Sequence, residues 1–201
     1  LDTLSSCWEA FAEVVNTPES DLSTTLLCLP AVAHPDLGHE RFRAFYELLS
    51  RSLLVFGVDK ILSMVYFHPL YDRDAVEPSD SPVYGHIPPL HWLPPMLAST
   101  TFKTEDDLQL LRSPGACALS NYQRRAPCLV LNILRSSQLE AATGGYSVGK
   151  LTVPDLAAGV DRVVEASGLV TYSRNALTLA RTGNHALLLA LAEEMNEVYP
   201  L

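Results

Sequence analysis

The chain has 201 residues, a formal net charge of −9, 48% hydrophobic residues and 18% charged ones. That length and apolar content favour a single domain over residues 1–201, with a packed core burying roughly 70% of the unfolded surface, and they exclude wholesale disorder. The acidic balance argues against nucleic-acid binding and against docking on anionic lipid heads, since both need a basic face; no apolar run approaches the ~20 residues of a membrane-spanning helix.

Cys7, Cys28, Cys117 and Cys128 form no CxxC pair, and Cys28 and Cys128 lie inside apolar runs. Buried, reduced thiols and a reducing compartment are therefore expected. The first residue is Leu1 rather than methionine, which fits the mature part of a processed precursor.

In chain order, Ser6 and Glu9 have capping-box spacing. Trp8, Phe11, Ala12 and Val15 recur at helical intervals, so a first helix is expected to about Asn16. Thr24–Leu29 reads as a buried strand stopped by Pro30. After Asp36-Leu-Gly comes the clearest helix of the chain, with Phe42, Phe45, Tyr46, Leu49, Leu53 and Phe56 on one stripe and Gly57 to end it. Ile61–Phe67 is the second strand, and strand, helix and strand of these lengths make a βαβ unit with parallel strands.

Residues 70–117 form a proline-rich insertion containing His86, His91, Trp92 and Met96, with Thr104–Asp107 capping a short helix near its end. Long segments of this kind tend to be lids or binding surfaces. Cys128–Leu134 is the third strand, Ser137–Glu140 caps a helical turn, and Thr143–Lys150 is a glycine-rich loop. The tail reads as helix throughout. One helix starts at Thr152-Val-Pro-Asp155 and runs to Glu165. A hairpin of Ser173–Arg181 and Asn184–Val198 follows, hinged at Gly183, with Leu188, Leu191, Met195 and Val198 facing inward.

Several motifs line up with one family in order: Ser23-Thr-Thr-Leu-Leu27, Phe42–Phe45, Phe67-His-Pro-Leu-Tyr71, Asn121-Tyr-Gln-Arg-Arg-Ala-Pro-Cys-Leu-Val-Leu-Asn-Ile-Leu-Arg135 and Arg174-Asn-Ala-Leu-Thr-Leu179. In this the sequence resembles the uncharacterised "domain of unknown function 1415" family of bacteria and plastid-bearing eukaryotes, over most of Asp21–Met195. That family has no assigned activity to carry over. This chain lacks its early Cys-Pro-Phe-Ala segment and has a long extra stretch between the His-Pro and Asn-Tyr motifs. Arg124, Ala126, Cys128 and Asn132 stand where the family has Asn, Ser, Tyr and His.

His68 sits just beyond a strand's carboxyl end, where α/β sheets place ligand groups, and it is a candidate acid/base or anion contact. If the second and third strands share a sheet, His68, Tyr122, Arg124, Arg125 and Arg135 gather around one patch. Catalytic candidates are His68 and Arg125, and Arg125 matches the family's arginine. Ligand-binding candidates are Tyr122, Arg125 and Arg135, whose guanidiniums could hold a carboxylate or phosphate bidentately. Arg124 reads better as a solvated side chain. Gly144–Lys150 nearly spells a phosphate-binding loop, but Leu151 follows the lysine where Ser or Thr is needed for magnesium. The pairs His34/His39 and His86/His91 lack helical zinc spacing and read as loop histidines, and no serine elbow supports a hydrolase triad. No metal site and no cofactor are expected.

The expected fold class is α+β. It has a small mixed sheet of βαβ plus a third strand, ferredoxin-like, with helices on one face and a helical C-terminal tail. The expected function is a non-catalytic accessory subunit docked to a larger organellar complex through the 70–117 insertion and the C-terminal helices. A plastid photosynthetic complex, in the stroma or on the stromal thylakoid face, is one concrete version; otherwise the chain is cytoplasmic. The alternative is a small enzyme or anion-binding protein using His68, Tyr122 and Arg125.

Overall fold

The computed structural model describes residues 2–29, 38–76, 87–138 and 149–198. Three strands, β1 (Thr24–Leu29), β2 (Leu62–Phe67) and β3 (Leu129–Arg135), form a sheet in the order β1-β3-β2. β3 is antiparallel to both neighbours, pairing Leu27 with Leu131 on one side and Tyr66 with Leu131 on the other. β1 and β2 therefore run in the same direction, as a βαβ unit requires, but they are not partners. The expected mixed sheet is corrected to an antiparallel one because β3 lies between them.

The apolar content of the strands explains that order. Leu129, Val130, Leu131 and Ile133 are all buried, so β3 has apolar residues facing both sides and is satisfied only in the middle of the sheet. β1 lies at an edge, with Leu26 58% exposed and Cys28 also exposed, which corrects the reading of a buried strand. A short apolar run has no periodicity by which an edge can be told from a centre.

α1 (Asp2–Asn16) packs across the three strands and α2 (His39–Val55) against β2. α1 starts ahead of the expected capping box, so Ser6 lies inside the helix. The buried stripe is Cys7, Ala10, Phe11 and Val14, one residue round from the expected face, with Trp8 and Val15 on its flanks. α2 buries Phe42, Tyr46, Leu49 and Leu53 against Leu62, Met64 and Tyr66 of β2. Each such side chain contributes about 1.5–3 kcal/mol by leaving water. Phe56, expected on that stripe, is 65% exposed and meets the edge of Trp8.

The insertion is more ordered than its composition implies. It contains α3 (Arg73–Val76), a 3₁₀ turn at Leu90–Trp92, α4 (Leu93–Ala98), α5 (Glu105–Leu111) and α6 (Pro114–Ala118), with a second 3₁₀ turn at Leu119–Arg124 just after it. Pro94, Pro95 and Pro114 stand in first helical turns, where a missing N–H costs nothing. The expected Thr104 cap is present, with Asp107 N–H donating to Thr104 Oγ1 at 3.2 Å and Thr104 N–H to Asp107 Oδ2 at 3.1 Å. Ile87, Leu90, Trp92, Leu93, Met96 and Leu97 are all buried. Most large apolar residues of the described insertion thus go to the core, while Leu70 and Phe102 stay exposed.

The expected helix at Thr152–Glu165 is instead a β-hairpin of β4 (Gly149–Asp155) and β5 (Val160–Ala166). Leu151 and Val153 alternate into the core between exposed neighbours, a period of two that the helix-like Thr-Val-Pro-Asp start obscures. Asp155 Oδ1 accepts from the N–H groups of Ala157 and Ala158, and Gly159, at φ 68°, completes the turn. α7 (Leu169–Thr182) buries Ser173, Ala176 and Leu177, and Gly183 at φ 82° breaks it from α8 (Asn184–Val198). α8 buries none of its residues, and Leu188 and Val198, expected inward, are 47% and 43% exposed.

Candidate functional site

Antiparallel pairing of Phe67 with Val130 brings the loop after β2 against the 3₁₀ turn before β3. The two are stitched by backbone and amide bonds. His68 N–H donates to Arg124 O at 3.0 Å, Arg73 N–H to Asn121 Oδ1 at 2.9 Å, and Asn121 Nδ2 to Asp72 Oδ1 at 3.3 Å. Arg125 Nε donates to Tyr71 O at 3.2 Å, and its guanidinium lies 4.4 Å from the Tyr122 ring centroid. Arg125 and Tyr122 are therefore engaged with the loop and with each other. Tyr122 Oη is buried and has no hydrogen-bond partner among the described residues.

The neighbouring Arg124 is the side chain that enters the site. Its guanidinium lies 5.3 Å from the Phe67 ring centroid, with Tyr46, Tyr66, Tyr71 and Tyr172 around it. The residue as a whole is half-buried, yet desolvation is strong enough to lower its pKa, against the pull of the tyrosines. Among the described residues no carboxylate pairs with it. This corrects the reading of Arg124 as a solvated side chain. In a 3₁₀ turn consecutive side chains point in different directions, so Arg125 turns to the loop backbone and Arg124 to the tyrosines.

His39, in the first turn of α2, stacks on His68 with centroids 4.7 Å apart and planes 28° apart. His39 Nε2 is 3.2 Å from Tyr66 Oη. Burial lowers the His39 pKa, helped by Arg43 and opposed by Asp72 and Glu40, so the ring is neutral at pH 7. His68 is buried, and its Nδ1 accepts the Leu70 N–H at 3.0 Å, which places the proton of the neutral ring on Nε2. Burial drives the Tyr66 and Tyr71 phenols far above their ordinary range, so both are neutral hydroxyls. α2 begins here at Gly38, which offers no side-chain cap. One cation, two neutral imidazoles and several hydroxyls can hold an anion, and His39 can exchange a proton.

No family model, curated protein or solved structure matches this chain.

Arg135 is not part of this cluster. It ends β3 opposite Leu62, a strand's length of about 20 Å from His68. There its Nε donates to Leu22 O at 3.3 Å and its Nη2 to Val14 O at 2.6 Å and to Thr17 O. It clamps the end of α1 and the turn after it. Lys150 lies in β4 opposite Glu165, so a strand follows the glycine-rich loop where a phosphate-binding loop needs a helix; residues 144–148 of that motif, His34 and His86 lie outside the described residues. No group of three or more metal-ligating side chains occurs among the described residues, and no described helix is long and apolar enough to cross a membrane. A separate cavity of about 670 Å³ lies in the insertion, floored by Leu90, Leu111 and Cys117, with Asp74 and Arg112 among its lining residues.

The sequence points to a patch holding His68 and Arg124 but favours Arg125 over Arg124, and it does not single out His39, Tyr46, Tyr66 or Tyr172. One signal was available: Tyr46, Tyr66 and Tyr71 each break an apolar run with a polar tip. A phenol placed in a core usually has something to bond.

Proposed function

We propose that the protein binds a small ligand through its carboxylate or phosphate group at Arg124. One observation carries this: a guanidinium drawn out of water among four tyrosines, with no carboxylate paired to it among the described residues. Leaving a cation desolvated and uncompensated costs several kcal/mol, and an anionic ligand offsets that cost. Tyr66 near it, and His39 at 3.2 Å from the Tyr66 hydroxyl, are donors of the right kind. His68 and Arg125 hold the loop in place, and His39 is the group that would move a proton if the site is catalytic.

Thermal shift against a panel of carboxylates and phosphates tests the reading. At least one anion should raise the unfolding midpoint of the native protein and leave that of Arg124→Met unmoved. Equal shifts in both proteins, or none in the native one, would count against it.

The stitching of the Phe67–Tyr71 loop to Asn121–Arg125 supports the family resemblance, because the two most distinctive motifs form one structural unit. The order β1-β3-β2, with β3 between two strands of like direction, supports a ferredoxin-like reading as its split βαβ half.

A second reading, an accessory subunit of an organellar assembly such as a plastid one, is favoured by α8. That helix buries no residue and leaves Leu188 47% and Leu189 50% exposed. Size-exclusion chromatography of native extract, with and without residues 184–198, tests it. Migration as a free 22.0 kDa monomer in both cases would sink it.

A further inference from the structure

The face of the sheet turned away from α1 and α2 carries Leu26, Cys28, Val130 and Asn132, because side chains directly opposite each other in an antiparallel pair share a face. Cys28 stands opposite Val130, and Cys128 precedes Val130 by two residues, so the two cysteines are diagonal neighbours on that face. Burial pushes the Cys128 pKa up, and the neighbouring Cys28 thiol adds to the effect. The pair is asymmetric: Cys28 is exposed and Cys128 is 7% exposed. Cys7 and Cys117 have no such neighbour among the described residues; Cys7 is fully buried, and Cys117 donates its S–H to Leu111 O at 3.0 Å.

We infer that Cys28 and Cys128 are a redox-active dithiol that closes to a disulfide by exchange with a low-molecular-weight disulfide such as oxidised glutathione. Access orders the two steps. The Cys28 thiolate attacks one sulfur of the small disulfide, forming a mixed disulfide and releasing one small thiolate, which takes up the proton Cys28 gave. The Cys128 sulfur then attacks the Cys28 sulfur, the protein disulfide forms, and the second small thiol leaves with the Cys128 proton. One protein dithiol and one small disulfide become one protein disulfide and two small thiols, a transfer of two electrons. The product bond would fasten the edge strand β1 to the central strand β3.

The full-length protein, incubated with oxidised glutathione, unfolded in acid, alkylated and mapped without reduction, tests this. Cys28 and Cys128 should lose their alkylatable thiols together, one for one, and appear in a single linked peptide, while Cys7 and Cys117 stay alkylatable. Cys128→Ser should stop at glutathione on Cys28, and Cys28→Ser should leave Cys128 unmodified. Stable glutathione on Cys28 of the native protein, a Cys28–Cys28 link between two chains, or no reaction would each overturn the inference. The native arm decides even if a variant fails to fold.

Discussion

Arg124 and Arg135 stand beyond and at the two ends of β3 and have met opposite fates. Arg135 donates to three backbone carbonyls, joining the end of α1 and the following turn to the sheet. Arg124, at the other end, has aromatic rings for neighbours and no paired carboxylate among the described residues. Both sit beside a strand terminus, so position alone does not decide an arginine's role. What decides it is whether the chain brings acceptors to the guanidinium. One end of the sheet is finished by its own backbone, and the other leaves a cation for something else to complete.

The largest effect should come from Arg135→Ala, which strips three carbonyls of their donor. Bonds to a charged group contribute about 1.5–3 kcal/mol each and are not additive, so a loss of about 3 kcal/mol is expected. In a chain of this size that lowers Tm by roughly 6–12 °C in a melt. A change below about 3 °C would mean the clamp is idle. Arg125→Ala removes one bond to Tyr71 O and the contact with Tyr122, and should cost about 1–2 kcal/mol by urea unfolding. It should also weaken anion binding indirectly, because the loop carrying His68 loosens.

These contrasts were only half legible in the sequence. α2 was readable because its apolar residues recur with a helical period, and β2 and β3 because each is a nearly unbroken apolar run of strand length; the meeting of the His68 and Asn121 segments followed once two strands were assigned. β1 was misread as buried because its outward residues Leu26 and Cys28 are as apolar as its inward ones. The hairpin at Gly149–Ala166 was missed because Thr-Val-Pro-Asp resembles a helix start, while the alternation of Leu151 and Val153 spans too few residues to outweigh it. The choice between Arg124 and Arg125 was out of reach, since a 3₁₀ turn and a long-range register set their directions, and neither is a property of the local sequence. Likewise the proline-rich insertion looked like a surface, and only its tertiary packing shows Trp92 and Met96 in the core.

A smaller effect sharpens the comparison through pH. The folded pKa of His39 lies below its ordinary value of 6.5. The unfolded chain therefore takes up a proton first as pH falls, and the stability held by a neutral His39 is lost from about pH 6.5 downward until the folded state protonates as well. His39→Asn should flatten that part of a stability-versus-pH curve. An unchanged slope would show that His39 does not titrate as its surroundings imply.

The central claim, that Arg124 is a desolvated cation completed by a bound anion, is tested most directly by urea unfolding of the native protein and Arg124→Met, each with and without inorganic phosphate. Methionine keeps the length of the side chain and removes the charge. Without phosphate the variant should be as stable as the native protein or up to about 1 kcal/mol more stable, since the cost of holding an unpaired cation disappears. With phosphate only the native protein should gain. A variant destabilised by more than about 1 kcal/mol in both conditions, with phosphate acting equally on the two proteins, would contradict the account and make Arg124 a structural residue like Arg135.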